Sequence, residues 1–126
     1  MKEPKRYLAN ARETLKKSPI EDNVYLDVKY VKSACGIAYL GIIEAINSYL
    51  IGRGLSEREL PRKFEEYQKA LKKFGGVHNG KLLRQFNVIY HELHIAGYYH
   101  GELRSTNIVK DALKNAGEFI GRLSVK

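Results

Sequence analysis

One segment, residues 24 to 51, limits most strongly what this chain can fold into. Its apolar residues follow one another at steps of three and four without a break, which is the spacing of one face of an α-helix. These residues are Val28, Val31, Cys35, Ala38, Ile42, Ala45 and Tyr49. A second apolar row, Tyr39, Ile43, Ile46 and Leu50, widens that face. The segment therefore predicts a long helix that is buried against several neighbouring helices.

Four further segments have helical spacing, and none of them alternates in the manner of a strand. The predicted helices cover about Pro4 to Lys17, Pro61 to Phe74, Gly80 to His100, and Thr106 to Leu123. Asp22 or Asn23 is expected to cap the long helix, and Ser56 with Glu59 has capping-box spacing. The glycines of Gly75 to Gly80 indicate a loop. Because the connections are short, we predict an all-α, antiparallel up-and-down bundle of about five helices in a single domain, residues 1–126.

Composition narrows the classes of function. The net charge of +8 favours anionic partners, although the Lys and Arg residues are scattered over every segment. The single cysteine, Cys35, allows no intrachain disulfide and fits a reducing compartment. The N-terminus lacks a signal-peptide core, and the apolar-rich run from Ile37 to Ile51 is too short and too polar to span a bilayer. We therefore expect a cytoplasmic protein with no membrane partner.

The predicted helix at residues 80 to 100 has two faces about 160° apart. Its apolar stripe consists of Leu82, Phe86, Ile89, Leu93 and Ala96. Its polar stripe consists of Arg84, Asn87, His91, His94 and Tyr98. An ordinary solvated face would be mostly Lys and Glu, so this composition favours a surface that faces RNA, a nucleotide or another subunit. Tyr98 and Tyr99 could stack on a base, although such residues are more often core edges or interface anchors.

Metal and thiol chemistry are not expected. His91 and His94 are three residues apart and Glu92 lies off their shared face, whereas a zincin helix needs histidines four residues apart. A third ligand would have to come from His78, His100 or a distant carboxylate. Cys35 lies on the inner stripe of the long helix, which predicts a buried, inert thiol. We expect neither a metal nor a cofactor.

Two stretches resemble parts of a known superfamily. YVKSACGIAYLGIIEAINSYLIGRG is similar to the long second helix of HEPN-like helical bundles, and AGYYHGELRSTNIVKDALKNAGEFIGRL is similar to their final segment. With Arg84 and His91, the resemblance covers about residues 4 to 123. It implies a HEPN-like bundle, close to small uncharacterised bacterial members of that group. Many such domains act in RNA metabolism as ribonucleases, and others are non-catalytic partners of nucleotidyltransferases.

The nuclease type of HEPN domain carries an Arg followed within about two helical turns by a His, and Arg84, Gln85 and His91 have this spacing. The two side chains would share a helix face, with His91 as a base and Arg84 as a phosphate clamp. In that family, however, the His usually stands just before the turn into the final helix. His100 occupies that place here, and no Arg precedes it at the required distance.

From these observations we expect a non-enzymatic bundle that forms a homodimer and binds a protein partner or a nucleotide-like ligand. The dimer surface is expected on the broad flanks of the second and fourth predicted helices. Binding or interface candidates are Asn87, His94, Tyr98 and His100, and the resemblance implies a nucleotidyltransferase as a protein partner. One alternative is a metal-independent ribonuclease of a toxin or defence system that uses Arg84 and His91. Another is a basic nucleic-acid-binding module without catalysis.

Overall fold

The computed structural model describes residues 3–75 and 80–124, and over these ranges the chain is mostly helical. The five α-helices are α1 (Pro4–Leu15), α2 (Val28–Gly52), α3 (Phe64–Phe74), α4 (Lys81–Ile89) and α5 (Thr106–Ser124). A π-helical segment, Tyr90–Tyr99, continues α4, and a 3-10 turn, Glu57–Glu59, precedes α3. The prediction of a bundle of about five helices is confirmed. The loop predicted at Gly75 to Gly80 lies largely outside the described residues.

The long helix α2 is the centre of the bundle, and α1, the π segment and α5 pack around it. Its predicted inner stripe is buried from Val31 to Tyr49. By length and composition α2 is the one helix among the described residues that could cross a membrane, but half of its most apolar window is buried inside the fold. The core helix of a soluble protein passes the same test.

A close contact joins α1 to the middle of α2 at Gly41. A Cβ atom at Gly41 would lie 2.7 Å from Cβ of Tyr7 and 3.1 Å from the carbonyl oxygen of Pro4. Any side chain larger than that of glycine would therefore push α1 away from α2. The helical penalty of about 1 kcal/mol for a glycine at this position is offset by the closer packing that it permits.

The connection between α1 and α2 forms a small hairpin that the sequence analysis did not predict. Its strands, β1 (Ile20–Glu21) and β2 (Val24–Tyr25), are antiparallel. The two residues between them, Asp22 and Asn23, have φ angles of 52° and 63°. Positive φ at both central residues is the geometry of the two-residue hairpin turn that matches strand twist, and Asp and Asn tolerate it. The purely α-helical prediction was wrong for this segment.

The hairpin also moves the start of α2. The helix begins at Val28 and not near Val24, and its N-cap is Asp27, whose Oδ1 accepts the N–H of Lys29 at 3.2 Å. Asp22 and Asn23 form the turn instead of the predicted cap, because their left-handed backbone fits the hairpin. Hydrogen bonds of 2.9 Å from the N–H of Tyr25 to the Arg104 carbonyl and from the N–H of Thr106 to the Asn23 carbonyl hold the hairpin against the residues that precede α5.

The predicted capping box of Ser56 and Glu59 is confirmed, shortly after the C-terminal end of α2. The N–H of Ser56 donates to Oε1 of Glu59 at 2.9 Å, and the reciprocal bond of the capping box is also present. This hydrogen bonding lowers the pKa of Glu59. The box caps the separate 3-10 turn, so α3 begins at Phe64, three residues after Pro61.

Candidate functional site

The candidate site is at the end of the fourth predicted helix, where the helix changes its winding. From Tyr90 onwards the backbone is π-helical, with wider turns than an α-helix; for example, the N–H of His100 donates to the Ile95 carbonyl at 2.9 Å. The apolar stripe is buried as predicted from Leu82 to Leu93. At the next position the prediction was wrong, because Gly97 is buried and Ala96 is only half-buried.

Gly97 explains how the π segment packs on α2. A Cβ atom at Gly97 would lie 2.5 Å from Sγ and 2.8 Å from Cβ of Cys35, and 3.0 Å from the carbonyl oxygen of Glu92. Real Cβ atoms do not come this close to other heavy atoms, so only glycine fits without a shift. At the next residue of α2, the Tyr98 ring covers Gly36. The small residues of α2 thus permit the close approach of the π segment.

Aromatic rings form a ladder along the π segment. The His94 ring lies 4.8 Å from the ring of Tyr39 on α2, 5.3 Å from Tyr90 and 5.8 Å from Tyr98, all between ring centroids. Its plane is within 14° of that of Tyr98. Burial lowers the pKa of His94, so the imidazole is neutral at pH 7. His94 therefore acts as a stacking element that supports Tyr98 from the inside.

The outer end of the ladder is open to solvent. Tyr98 is 46% exposed and Tyr99 is 67% exposed. Together with Lys29, Lys32 and Ser33 they line a shallow hollow of about 570 Å³. We call these five residues the Tyr98–Tyr99 patch. It offers flat aromatic surface and positive charge in one place.

The lysines reach the patch because the start of α2 lies beside the end of the π segment. Gly101, in the left-handed conformation at φ 62°, contacts this part of α2: a Cβ there would lie 3.2 Å from Cδ of Lys32. Lys29 is 3.9 Å from Asp27, in a pair that is largely solvent-exposed and therefore weak. Lys32 has no ion-pair partner within residues 3–75 and 80–124. The patch thus keeps its positive charge.

The residues of the predicted polar stripe do not form one site in the structure. Arg84 is exposed and lines a different hollow, between α4 and α5. The Asn87 side chain accepts a hydrogen bond from Nε2 of Gln68 at 2.8 Å. His91 is exposed, and its ring lies in a T-shaped contact with Tyr90. Over the described part of the chain no hydrogen bond joins Arg84 to His91, whereas His94 and Tyr98 are in direct ring contact.

The remaining candidate, His100, stands at the C-terminal end of the π segment. It is exposed, and its ring centroid is 5.7 Å from that of Tyr99. His100 therefore borders the Tyr98–Tyr99 patch, in the place where the sequence comparison with HEPN-like bundles had drawn attention to it. Of the six predicted site residues, Tyr98 lines the patch, His94 stacks on Tyr98, and His100 contacts Tyr99.

The His91-Glu92-Leu93-His94 sequence forms no metal centre in the described ranges, where no group of three potential ligands converges. Glu92 turns towards the interior, and its Oε1 is buried without a hydrogen-bond partner in the described structure. Burial, with a smaller effect of Asp111, raises the pKa of Glu92. His78, the other ligand considered from the sequence, lies outside the described residues.

Cys35 is a free, fully buried thiol, as its position on the inner stripe predicted. Burial, together with the nearby charge of Glu92, raises its pKa to about 12. The thiolate is therefore negligible at pH 7, and the side chain acts as a small packing group against Gly97.

The contributions of Lys29, Lys32 and Tyr99 to the patch were not predicted from the sequence. Lys29 and Lys32 lie one turn apart at the start of α2, which is a detectable pattern, but nothing local shows that they meet Tyr99. Only the packing of α2 against the π segment brings these residues together. The adjacent Tyr98, Tyr99 and His100, followed by a glycine, were the available signal on the other side.

Comparison with known proteins places the chain in a family without assigning an activity. The family described as "Domain of unknown function (DUF5618)" matches residues 1–125. The chain is also similar to a solved structure of a protein of unknown function from Dyadobacter fermentans, with a TM-score of 0.78 and 30% sequence identity over 96% of this chain and 89% of that one. No curated protein matches the chain. The chain belongs to the DUF5618 family.

Proposed function

We propose that the protein is a non-enzymatic helical-bundle module that binds single-stranded RNA at the Tyr98–Tyr99 patch. The observation that carries the proposal is the exposure of two adjacent tyrosines beside two lysines, with Tyr98 held in place by the ring ladder. Proteins bind single strands by stacking bases on aromatic rings while cationic side chains follow the phosphates. The patch supplies both kinds of contact.

The expected free energies indicate that base stacking contributes most to the affinity for RNA. Stacking of one base on an aromatic ring contributes about 1–3 kcal/mol. The two lysines add phosphate contacts whose strength falls with salt concentration, and the net charge of +8 attracts RNA over longer distances. Because His94, which itself stacks on Tyr39, supports Tyr98 from behind, little side-chain entropy is lost when a base stacks on it.

The arrangement of the histidines supports binding over catalysis. His94 is neutral and stacked between aromatic rings, and His91 has no orienting partner within the described residues. A general base for RNA cleavage needs a phosphate-stabilising cation beside it, and the Arg84 side chain lies in the hollow towards α5. The ribonuclease alternative therefore requires a rearrangement of two exposed side chains, whereas the stacking proposal requires none.

The kinship with HEPN-like bundles and the cytoplasmic location are parts of the same proposal. A long second helix that ends at Gly52, and a final helix that follows a short turn at Gly101, support the kinship. The unpaired Cys35 and the half-buried α2 support a reducing, aqueous compartment.

We also propose that the module forms a homodimer through the outer side of α2. Leu40 is 55% exposed and Ile51 36% exposed on that side, and Ile43 between them is only partly covered. A self-complementary stripe in which exposed apolar residues flank Glu44 and Asn47 suits a two-fold contact between two copies of the helix. Light scattering at micromolar concentration is expected to give twice the 14.4 kDa chain mass.

Leu40→Lys tests the dimer, with Ile108→Lys as the matched control because Ile108 is 50% exposed on α5. The first variant is expected to be monomeric and the second to remain dimeric. A wild-type monomer would refute the dimer and direct attention to a different protein, such as the nucleotidyltransferase that the HEPN resemblance implies, as the partner on this face.

The RNA proposal is tested by fluorescence anisotropy with a labelled 12-nucleotide oligouridylate at several salt concentrations. Tyr99→Ala is expected to weaken binding about tenfold, since it removes one stacking surface. Lys32→Ala should reduce the slope of log affinity against log salt by about 0.7. Ile108→Ala and Lys69→Ala, both exposed and outside the lining of the patch, should leave affinity and slope unchanged.

Two outcomes would overturn the proposal. The first is the absence of binding at low salt, or equal losses in the patch variants and their controls. The second is cleavage of the labelled RNA by the purified protein that disappears in His91→Ala, which would establish the ribonuclease alternative.

A further inference from the structure

A second hollow lies elsewhere on the bundle, where the hairpin passes between α1 and α5. Its volume is about 500 Å³, within the range of about 300–1,000 Å³ that is usual for small-molecule sites. Its lining residues are Arg12, Leu15, Lys16, Ser18, Ile20, Tyr25, Lys110 and Leu113. We call it the hairpin hollow. It shares no residue with the Tyr98–Tyr99 patch, so its role is a separate question from RNA binding.

The floor of the hairpin hollow is apolar except for one phenol. Leu15 and Leu113 are buried, and Tyr25 is only 3% exposed. The hydroxyl of Tyr25 is not among the fully buried polar atoms that lack a partner in the described residues, so it keeps access to the hollow. Burial raises the pKa of Tyr25, so the phenol keeps its proton and can donate it to an acceptor on a ligand.

The walls of the hollow are fixed before any ligand arrives. Oγ of Ser18 accepts the N–H of Asp27 and donates to the carbonyl of Pro19, each at 3.0 Å. The N–H of Leu26 donates to the same Pro19 carbonyl at 2.9 Å. These bonds join both ends of the hairpin to the end of α1. A preorganised site of this kind loses little conformational entropy on binding.

The rim of the hollow is positively charged. Arg12 and Lys110 have no ion-pair partner within the described ranges, and Lys16 pairs with Glu13 at 3.2 Å in a largely exposed contact. Such an exposed pair is weak and leaves Lys16 able to exchange partners. We propose that the hairpin hollow binds a small amphiphilic carboxylate, with its apolar chain on Leu15 and Leu113 and its head group between Arg12 and Lys110.

The proposal is tested by calorimetric titration of the full chain with three ligands that share a ten-carbon chain, each below its micelle concentration. Decanoate is expected to bind at least tenfold more tightly than decanol, because the charged head gains hydrogen bonds to the cations. Decyltrimethylammonium should not bind, since its charge opposes the rim. Equal affinity for all three ligands, or no binding of decanoate, would overturn the proposal.

Charge-reversed variants then locate the site. Arg12→Glu/Lys110→Glu should weaken decanoate binding at least tenfold, while Lys5→Glu/Lys69→Glu, with the same change in net charge at exposed positions elsewhere, should leave it within twofold. Tyr25→Phe should weaken it about tenfold, since one hydrogen bond to a charged acceptor is lost but the apolar floor is kept. Equal losses in the two charge-reversed variants would show that only net charge matters and would refute the site.

Discussion

Replacement of Gly97 by alanine tests whether the π segment depends on its contact with α2. The added methyl group would lie 2.5 Å from Sγ of Cys35, 2.8 Å from its Cβ and 3.0 Å from the Glu92 carbonyl. Cys35 is fully buried and Glu92 contributes a backbone atom, so neither neighbour can move freely. Overpacking by one methyl group costs about 1–3 kcal/mol, and this crowded position belongs at the upper end.

Alanine also gains helix propensity over glycine, by up to about 1 kcal/mol. We therefore expect Gly97→Ala to lower the free energy of unfolding by about 2 kcal/mol, measured by urea denaturation followed by circular dichroism. For a domain of this size the melting temperature should fall by about 8 °C.

Gly121→Ala is the matched control, because Gly121 also lies in a helix and a Cβ there would meet nothing within 4 Å. That variant should be more stable than wild type by about 0.5–1 kcal/mol. Adding Cys35→Ala to Gly97→Ala removes the closest contact, so the double variant should lose less stability than the sum of the two single changes. If Gly97→Ala is as stable as Gly121→Ala, the described packing of the π segment is incorrect.

Three further predictions follow from the same region. Cys35 should resist iodoacetamide at pH 8 in the folded protein and react in urea, because burial raises its pKa to about 12; equal rates would contradict its burial. Burial raises the pKa of Glu92 in the folded state, so its contribution to stability is present below the unfolded pKa and is lost as the pH rises through the folded pKa. Glu92→Gln should therefore raise the denaturation midpoint at pH 8 and flatten the pH dependence of that midpoint above about pH 4. Gly36→Ala would place a Cβ 2.8 Å from Cδ1 of Tyr98, so it should displace that ring and weaken oligouridylate binding severalfold while the denaturation midpoint changes little.

The helices were predictable because each shows its apolar periodicity within its own sequence. The stripe from Val28 to Tyr49 belongs to one helix, and the structure buries it from Val31 onwards. The hairpin was missed although its signal was local, because Asp22 and Asn23 are also good helix caps and the following Val24 continues the apolar spacing. Asp and Asn favour both helix caps and tight turns. Here the hydrogen bond from the N–H of Thr106 to the Asn23 carbonyl favours the turn.

The π segment could not be predicted from periodicity alone. An α-helical stripe and a π-helical stripe share their first residues, and they separate only at Ala96 and Gly97. What decides between them is the contact of Gly97 with Cys35 on another helix, which local spacing does not contain.

The candidate site also depends on contacts between helices, which local spacing does not contain. Tyr98 and His94 were recognisable from their own helix, whereas Lys29 and Lys32 reach the patch only through the packing of α2. Arg84 and His91 were placed together by an ideal α-helical period. In the structure His91 is the second residue of the π segment, and Arg84 lies on α4 towards α5. The structure shows no contact between these two side chains within the described residues, so their association stays a prediction.

The most direct test of the RNA-binding proposal is photocrosslinking of the intact protein to an oligonucleotide that contains 4-thiouridine, followed by mass spectrometry of the crosslinked peptides. We predict that the crosslinks fall on Tyr98 and Tyr99 and disappear in the Tyr98→Ala/Tyr99→Ala variant. Crosslinks that fall instead between Arg84 and His91, or that persist unchanged in this variant, would contradict the proposed site.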